Sequence, residues 1–304
     1  MKRTAMVVAV LSIAIWAVAQ STGQAGQQNP PATGQTTQGS QTAPAGQAAP
    51  GQPAPAPQGK RRPQAKTQPE FEAYNAAVTN KDASSLEKAA DDFATKFPDS
   101  ELRGLLYTQA MRAHQNTNNA EKTEAMGRKV LSLDGDDPEA LVTVAEVIAE
   151  RTRESDLDRD QRYDEATKMA QKALTTVDTD ISVPAGTPQD RLDAYKSGLR
   201  SQAYSTMGAI EYSKNNFPGA QTNFQKAIDA FPSQPFPADV LRLALALDKQ
   251  QKYEEALKVA IRAVELSPEN TPIGTSARRE RDRLQQLTGG AAPPAQPQSQ
   301  PPKN

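Results

Sequence analysis

The chain of 304 residues has no cysteine, one histidine (His114) and one tryptophan (Trp16). Without cysteine there is no disulfide framework, no thiolate nucleophile, no Cys-ligated zinc and no lipid-bearing cysteine at an export cleavage site. A single histidine cannot build a two-His metal site. As a catalytic base it would need an orienting partner within reach, so His114 reads as a packed or groove-lining side chain. Neither sign of charge is in excess: 35 Lys+Arg stand against 36 Asp+Glu, a net charge of −1, which argues against a nucleic-acid ligand. Aromatic residues are only 5% of the chain, which points to a core built from alanine and leucine rather than from large rings. Glycine-rich phosphate loops and the Gly-x-Ser-x-Gly elbow are missing as well. Asp156-x-Asp158-x-Asp160 opens like a calcium loop, but Gln161 and Thr167 stand where the loop needs its glycine and its bidentate glutamate. No metal site, cofactor or catalytic constellation is therefore expected.

Proline and glycine are concentrated at the two ends. Lys2 and Arg3 precede an uncharged apolar run over residues 5–19, which ends in Ala17, Val18 and Ala19. This is the pattern of an export leader with a small-x-small cleavage site. The run is shorter than the roughly 20 residues a helix needs to cross a bilayer. Cleavage after Ala19 would send the chain to the periplasm or the exterior; left uncleaved, the run would be an anchor. Residues 20–59 carry no charge and almost no large aliphatic side chain. Such a segment cannot bury enough apolar surface to offset chain entropy, and it reads as a disordered spacer. Lys60, Arg61, Arg62 and Lys66 mark its junction with a helical region. The chain thus divides into a leader (1–19), a Pro/Gln/Gly-rich linker (20–66), the helical region (67–288) and a Pro/Gln-rich tail (289–304).

The helical region has apolar residues at three- and four-residue spacing and no alternating strand pattern. Two stretches align with each other. Tyr204, Met207, Gly208, Tyr212, Phe217, Ala220, Phe224, Ala227 and Pro232 form one. Val240, Leu243, Ala244, Leu247, Tyr253, Ala256, Ala260, Ala263 and Pro268 form the other. Each set describes a helix, a short turn (Asn215-Asn216; Gln250-Gln251-Lys252) and a second helix stopped by proline. Small residues at Gly208, Ala220 and Ala227 mark where two antiparallel helices approach closely. Three further units precede these, at about residues 69–99, 104–137 and 138–177. The third carries an insertion in its turn. In the second, Gly127 and Gly135 stand where a large residue and a proline are expected. Thr187-Pro188-Gln189-Asp190 reads as the start of an unusually long first helix. Residues 276–287 read as a polar-faced terminal cap.

These units resemble the tetratricopeptide repeat (TPR), a helix-turn-helix of about 34 residues, most closely at Lys252-Tyr253-Glu254-Glu255-Ala256-Leu257 and Arg262-Ala263-Val264-Glu265-Leu266-Ser267-Pro268. With its leader, the chain resembles an exported bacterial member of that family. The resemblance implies an all-α solenoid of about five helical hairpins plus a capping helix, and a non-enzymatic scaffold or adaptor holding a protein or peptide on its concave face. It places the groove on Thr108, Arg112, Gln115 and Asn116, on Glu146, Ala149 and Glu150, on Ser205, Ala209 and Tyr212, and on Leu241, Leu245, Asp248 and Lys249. The family's clamp for a C-terminal carboxylate needs Lys or Arg where this chain has Phe71, Thr108 and Ala238, so that ligand is not expected. Tyr212 and Arg112 stand out as residues of the kind that dominate interfaces. The rival reading is a structural element of the cell envelope, associating with wall polymer or membrane surface through the basic junction and linker.

Overall fold

Each apolar stripe of residues 67–288 lies on a helix in the computed structural model, which describes residues 60–184 and 186–289. The leader (1–19), nearly all of the linker (20–66) and nearly all of the tail (289–304) lie outside the described residues. Among those described there are eleven α-helices and no strand. They are α1 (Gln68–Val78), α2 (Ala83–Lys96), α3 (Leu102–Asn116), α4 (Ala120–Leu133), α5 (Pro138–Arg151), α6 (Arg159–Thr176), α7 (Gln189–Ser213), α8 (Phe217–Ala230), α9 (Pro237–Lys249), α10 (Tyr253–Leu266) and α11 (Pro272–Leu287).

Helix starts follow the local chemistry. Asp82, Asn119, Asp137 and Asn216 each accept a hydrogen bond from a first-turn amide, and Pro138, Pro218, Pro237 and Pro272 occupy first-turn positions where no amide donor is needed. α7 departs from the sequence expectation: it starts at Gln189 with Pro188 at the N-cap, which has no side-chain acceptor, and the Thr187 hydroxyl donates instead to the Pro184 carbonyl at 2.7 Å. Three hairpin turns share one device. Asn118, Asn215 and Gln251 have φ of 55°, 60° and 62°, and the next residue's N–H returns to a carbonyl five residues back, as from Asn119 to His114, Asn216 to Glu211 and Lys252 to Leu247. This is the left-handed helix stop that satisfies two orphan carbonyls at once.

Helices pack mainly with their chain neighbours, forming five antiparallel pairs closed by α11: a helical-hairpin solenoid. Substantial packing between alternate helices occurs only among first helices, α1 with α3, α5 with α7 and α9 with α11. Second helices are instead linked by long side chains, Lys122 to Glu87 at 2.7 Å, Lys129 to Asp91 at 2.5 Å and Arg128 to Glu165 at 2.8 Å. First helices therefore form the more closely packed side of the stack at three of its five steps.

The hairpins close on small residues. Ala220, Ala227, Ala256, Ala260 and Ala263 are fully buried. A methyl added to Gly208 would lie 2.7 Å from the Phe224 ring, so glycine is required at that crossing. Gly127, the odd residue of the second unit, plays the same part: its Cβ would meet Val144 Cγ2 at 2.4 Å and Met111 Sδ at 3.1 Å. The large residue expected at that position is thus replaced by two neighbours leaning in.

Candidate functional site

α3, α5, α7 and α9 are the helices that the resemblance takes as the inner wall, and polar ties cross from one to the next. At its start the buried carboxylate of Glu70 on α1 accepts from the Ser100 hydroxyl just before α3. Arg112 on α3 meets Glu139 on α5 fork to fork, with both N···O distances 2.5 Å, and Tyr195 on α7 donates to the same carboxylate at 2.6 Å. Gln202 on α7 donates to Glu146 on α5 at 2.6 Å. Ser205 on α7 donates to Asp239 on α9, and Arg242 reaches both, at 3.0 Å and 3.3 Å. Arg283 on α11 closes the series on Asp248 at 2.5 Å.

These ties set the electrostatics. Burial opposes the Arg112 charge, but the Glu139 carboxylate outweighs it and holds the guanidinium above its ordinary value. Burial pushes Glu146 up against the opposing Gln202 hydrogen bond and Arg242 charge, and it pushes Asp239 up despite Arg242 and Ser205. Glu150 keeps an exposed surface, yet crowding by the wall and the charge of Glu146 one turn away push it up to about 7. Mid-wall, three carboxyls therefore face one guanidinium, that of Arg242. An open cavity of about 410 Å³ lies beside Glu150, lined also by Arg151, Arg153, Asp156 and Arg162 at the α5–α6 insertion.

The residues expected at the groove fall into three groups. Arg112, Glu146 and Asp248 are on the wall, but their charged ends are engaged by neighbouring helices. Thr108, Gln115, Tyr212 and Leu245 are half-buried; Thr108 donates to the Gly104 carbonyl at 3.0 Å, and Tyr212 packs edge-on to Phe217 with ring centroids 5.3 Å apart. Asn116, Glu150 and Lys249 are exposed, each at the C-terminal end of its helix. Of the other groove positions, Ser205 and Leu241 are buried. His114, 2% exposed, contacts Glu87 at 2.8 Å through Nε2.

No protein-family model matches this chain. No curated protein matches it either. Among solved structures, residues 1–338 of the assembly chaperone of RpL4 (Acl4) are similar at 15% identity and a TM-score of 0.34, over 73% of this chain and 99% of that one. The likeness is weak, and the solenoid assignment rests on the helix packing described above.

Sequence reasoning did not single out Glu139, Tyr195, Gln202, Asp239 or Arg242, and it took Arg283 as part of a solvated terminal cap, whereas Arg283 pairs with Asp248 and Glu280. One signal was there: Glu70, Glu139 and Asp239 recur in the first turn of α1, α5 and α9. An acid there reads as a complement to the helix dipole. In the fold it is also the acceptor that fastens one inner helix to the next.

Proposed function

We propose that this chain is an exported, non-enzymatic interaction scaffold of the cell envelope. Its TPR-type array holds an extended or helical segment of a partner protein against the inner wall. The observation that carries this reading is the wall's pre-organisation. Arg112, Glu146, Asp239 and Asp248 are fixed by cross-helix ties, so little side-chain freedom is left to lose when a ligand docks. The wall offers half-buried Tyr212 and Leu245 as apolar anchors, with Asn116, Glu150 and Lys249 as an open polar rim, the arrangement expected of a protein interface. The leader pattern of residues 1–19 supports export, and the spacer composition of residues 20–59 supports a tethered array.

Photo-crosslinkers placed at Gln115, Glu150 and Lys249 test it. All three should capture the same protein in envelope extract, while one on outer-face Lys258 should not. Tyr212→Ala should then weaken binding of that purified partner by about tenfold or more with helicity unchanged. Equal capture from Lys258, or full affinity in the Tyr212 variant, would move the function off the inner wall.

A further inference from the structure

Residues 60–67, whose charges read from sequence as a junction, lie against the array. The loops that join one helix pair to the next are acidic: Asp99 and Glu101 precede α3, Asp134 and Asp136 precede α5, and Asp178 and Asp180 precede α7. Followed backwards from α1, the segment meets these loops in order. The Lys66 ammonium donates to the Asp99 carbonyl at 2.7 Å, and its backbone N–H donates to Glu70 at 2.7 Å. Arg61 Nη2 lies 2.6 Å from Glu101. Lys60 then reaches Asp134 at 2.5 Å and Asp180 at 3.6 Å, spanning the second and third loops. The neighbouring acids are already taken, Asp136 by Lys172 at 2.8 Å and Asp178 by Arg200 at 2.6 Å, so the pairing of Lys60 is selective. Between the cations, Ala65 packs on the apolar cluster of the first two helix pairs. The segment also forms one side of a groove of about 700 Å³, whose other side is Phe71 and Tyr74 of α1 with Leu102 and Leu105 of α3.

We propose that residues 60–67 are a latched strap, held along the acidic loop edge by Lys60, Arg61 and Lys66, and that the latch keeps the groove beside α1 walled. Each exposed ion pair alone contributes little. Here they act on one short segment together with the Lys66 and Gln64 backbone amides, which donate to Glu70 and Glu101, and the half-buried Ala65 methyl, so opening the strap breaks all of them. Lys60 then lies at the side of the array, near the third loop, instead of at the tip of α1. Salt, or a competing basic segment offered to the acidic edge, releases the strap and opens one side of the groove. This stands on the contacts of the strap and does not depend on which protein the inner wall holds.

Trypsin tests it on the full chain, because cleavage after Lys60, Arg61 and Lys66 needs an unlatched backbone, while Pro63 protects Arg62 in any state. Early digests read by mass spectrometry should show cleavage after Lys60 and Arg61 on the order of tenfold slower than in a linear peptide of the same sequence. The double variant Asp134→Asn/Asp180→Asn should speed cleavage toward the peptide rate at both Lys60 and Arg61, and Glu101→Gln should do the same, each with unchanged melting. Asp193→Asn, an exposed acid on α7, should change nothing. Hydrogen exchange at the Gln64 amide gives a protease-free reading, faster in Glu101→Gln. Cleavage of the parent at the peptide rate, or protection that survives loss of these carboxylates, overturns the latch.

Discussion

Arg112 and Glu139 stand on consecutive inner helices and face each other with Nε on Oε1 and Nη2 on Oε2, both at 2.5 Å, while Tyr195 of the next inner helix donates to the same carboxylate. One carboxylate thus fastens three repeats. Removing Arg112 leaves Glu139, whose side chain is 16% exposed, with a neutral donor in place of a cation. Arg112→Ala should cost about 1–2 kcal/mol, since the guanidinium is partly open to solvent and the pair is discounted accordingly. The double variant Arg112→Ala/Glu139→Ala should cost less than the two single ones summed, because it leaves no stranded charge. Urea unfolding followed by circular dichroism checks both; strict additivity would mean the pair is ornamental.

Two glycines of the same helix should respond in opposite directions. Gly208 crosses against the Phe224 ring, whereas a methyl on Gly198 meets nothing within 4 Å. Gly208→Ala should destabilise by about 1–2 kcal/mol, overpacking of roughly 1–3 kcal/mol outweighing the gain in helix propensity. Gly198→Ala should stabilise by about 0.5–1 kcal/mol through propensity alone. Matching shifts in melting temperature would refute the close crossing.

Gln251 offers a cleaner gain. It occupies the left-handed region at φ 62° with its side chain exposed, so the side chain adds backbone strain with little burial in return. Gln251→Gly should raise stability by about 1 kcal/mol, the usual advantage of glycine at this helix stop. A loss would show that the turn gains from its side chain in some other way.

The helices, their pairing and their close approaches were legible because each is a local pattern. The stripe Ala220, Phe224, Ala227 predicts its own buried face, and Asn215 and Gln251 stand at turns whose geometry they then adopt. The wall's ties were not legible. Whether Arg112 meets Glu139 or water depends on how far one hairpin is rotated on the next, which no stretch of sequence encodes. Lys60 reaches a carboxylate in a loop 74 residues away, and only the stacking of the intervening repeats brings the two together. Gly127 looked like a departure from the repeat for the same reason: its partner Val144 lies on the following hairpin.

The proposed export has a direct signature. The leader should be removed after Ala19, leaving Gln20 as the first residue, and the only tryptophan, Trp16, leaves with it. Intact-mass measurement of the envelope-fraction protein should give the residue 20–304 mass, and the purified protein should show tyrosine emission alone. Recovery of the full-length mass would turn the leader into an anchor.

The raised carboxyls predict how stability depends on pH. Burial pushes Asp137 up to about 6, against the cap it accepts from Ala140, and Glu150 sits at about 7. In the unfolded chain both return to the ordinary range near 4. Between about pH 4 and 7 the folded protein therefore holds more protons than the unfolded one, and stability falls as pH rises through that window. The sign is opposite for Glu70, Glu87 and Asp178, which are held below their ordinary values; their contribution is present above the ordinary range and lost as the solution is made more acidic. Stability should therefore peak at mildly acidic pH and decline on either side. Asp137→Asn keeps the cap but removes its proton, and Glu150→Gln removes the one near 7, so the double variant should make the decline between about pH 5 and 7 shallower, the raised Glu146 and Asp239 supplying the remainder, while leaving the acid limb unchanged. Urea midpoints measured across pH 3 to 8 decide it; a parent whose stability climbs steadily to neutrality would show that neither carboxyl is raised.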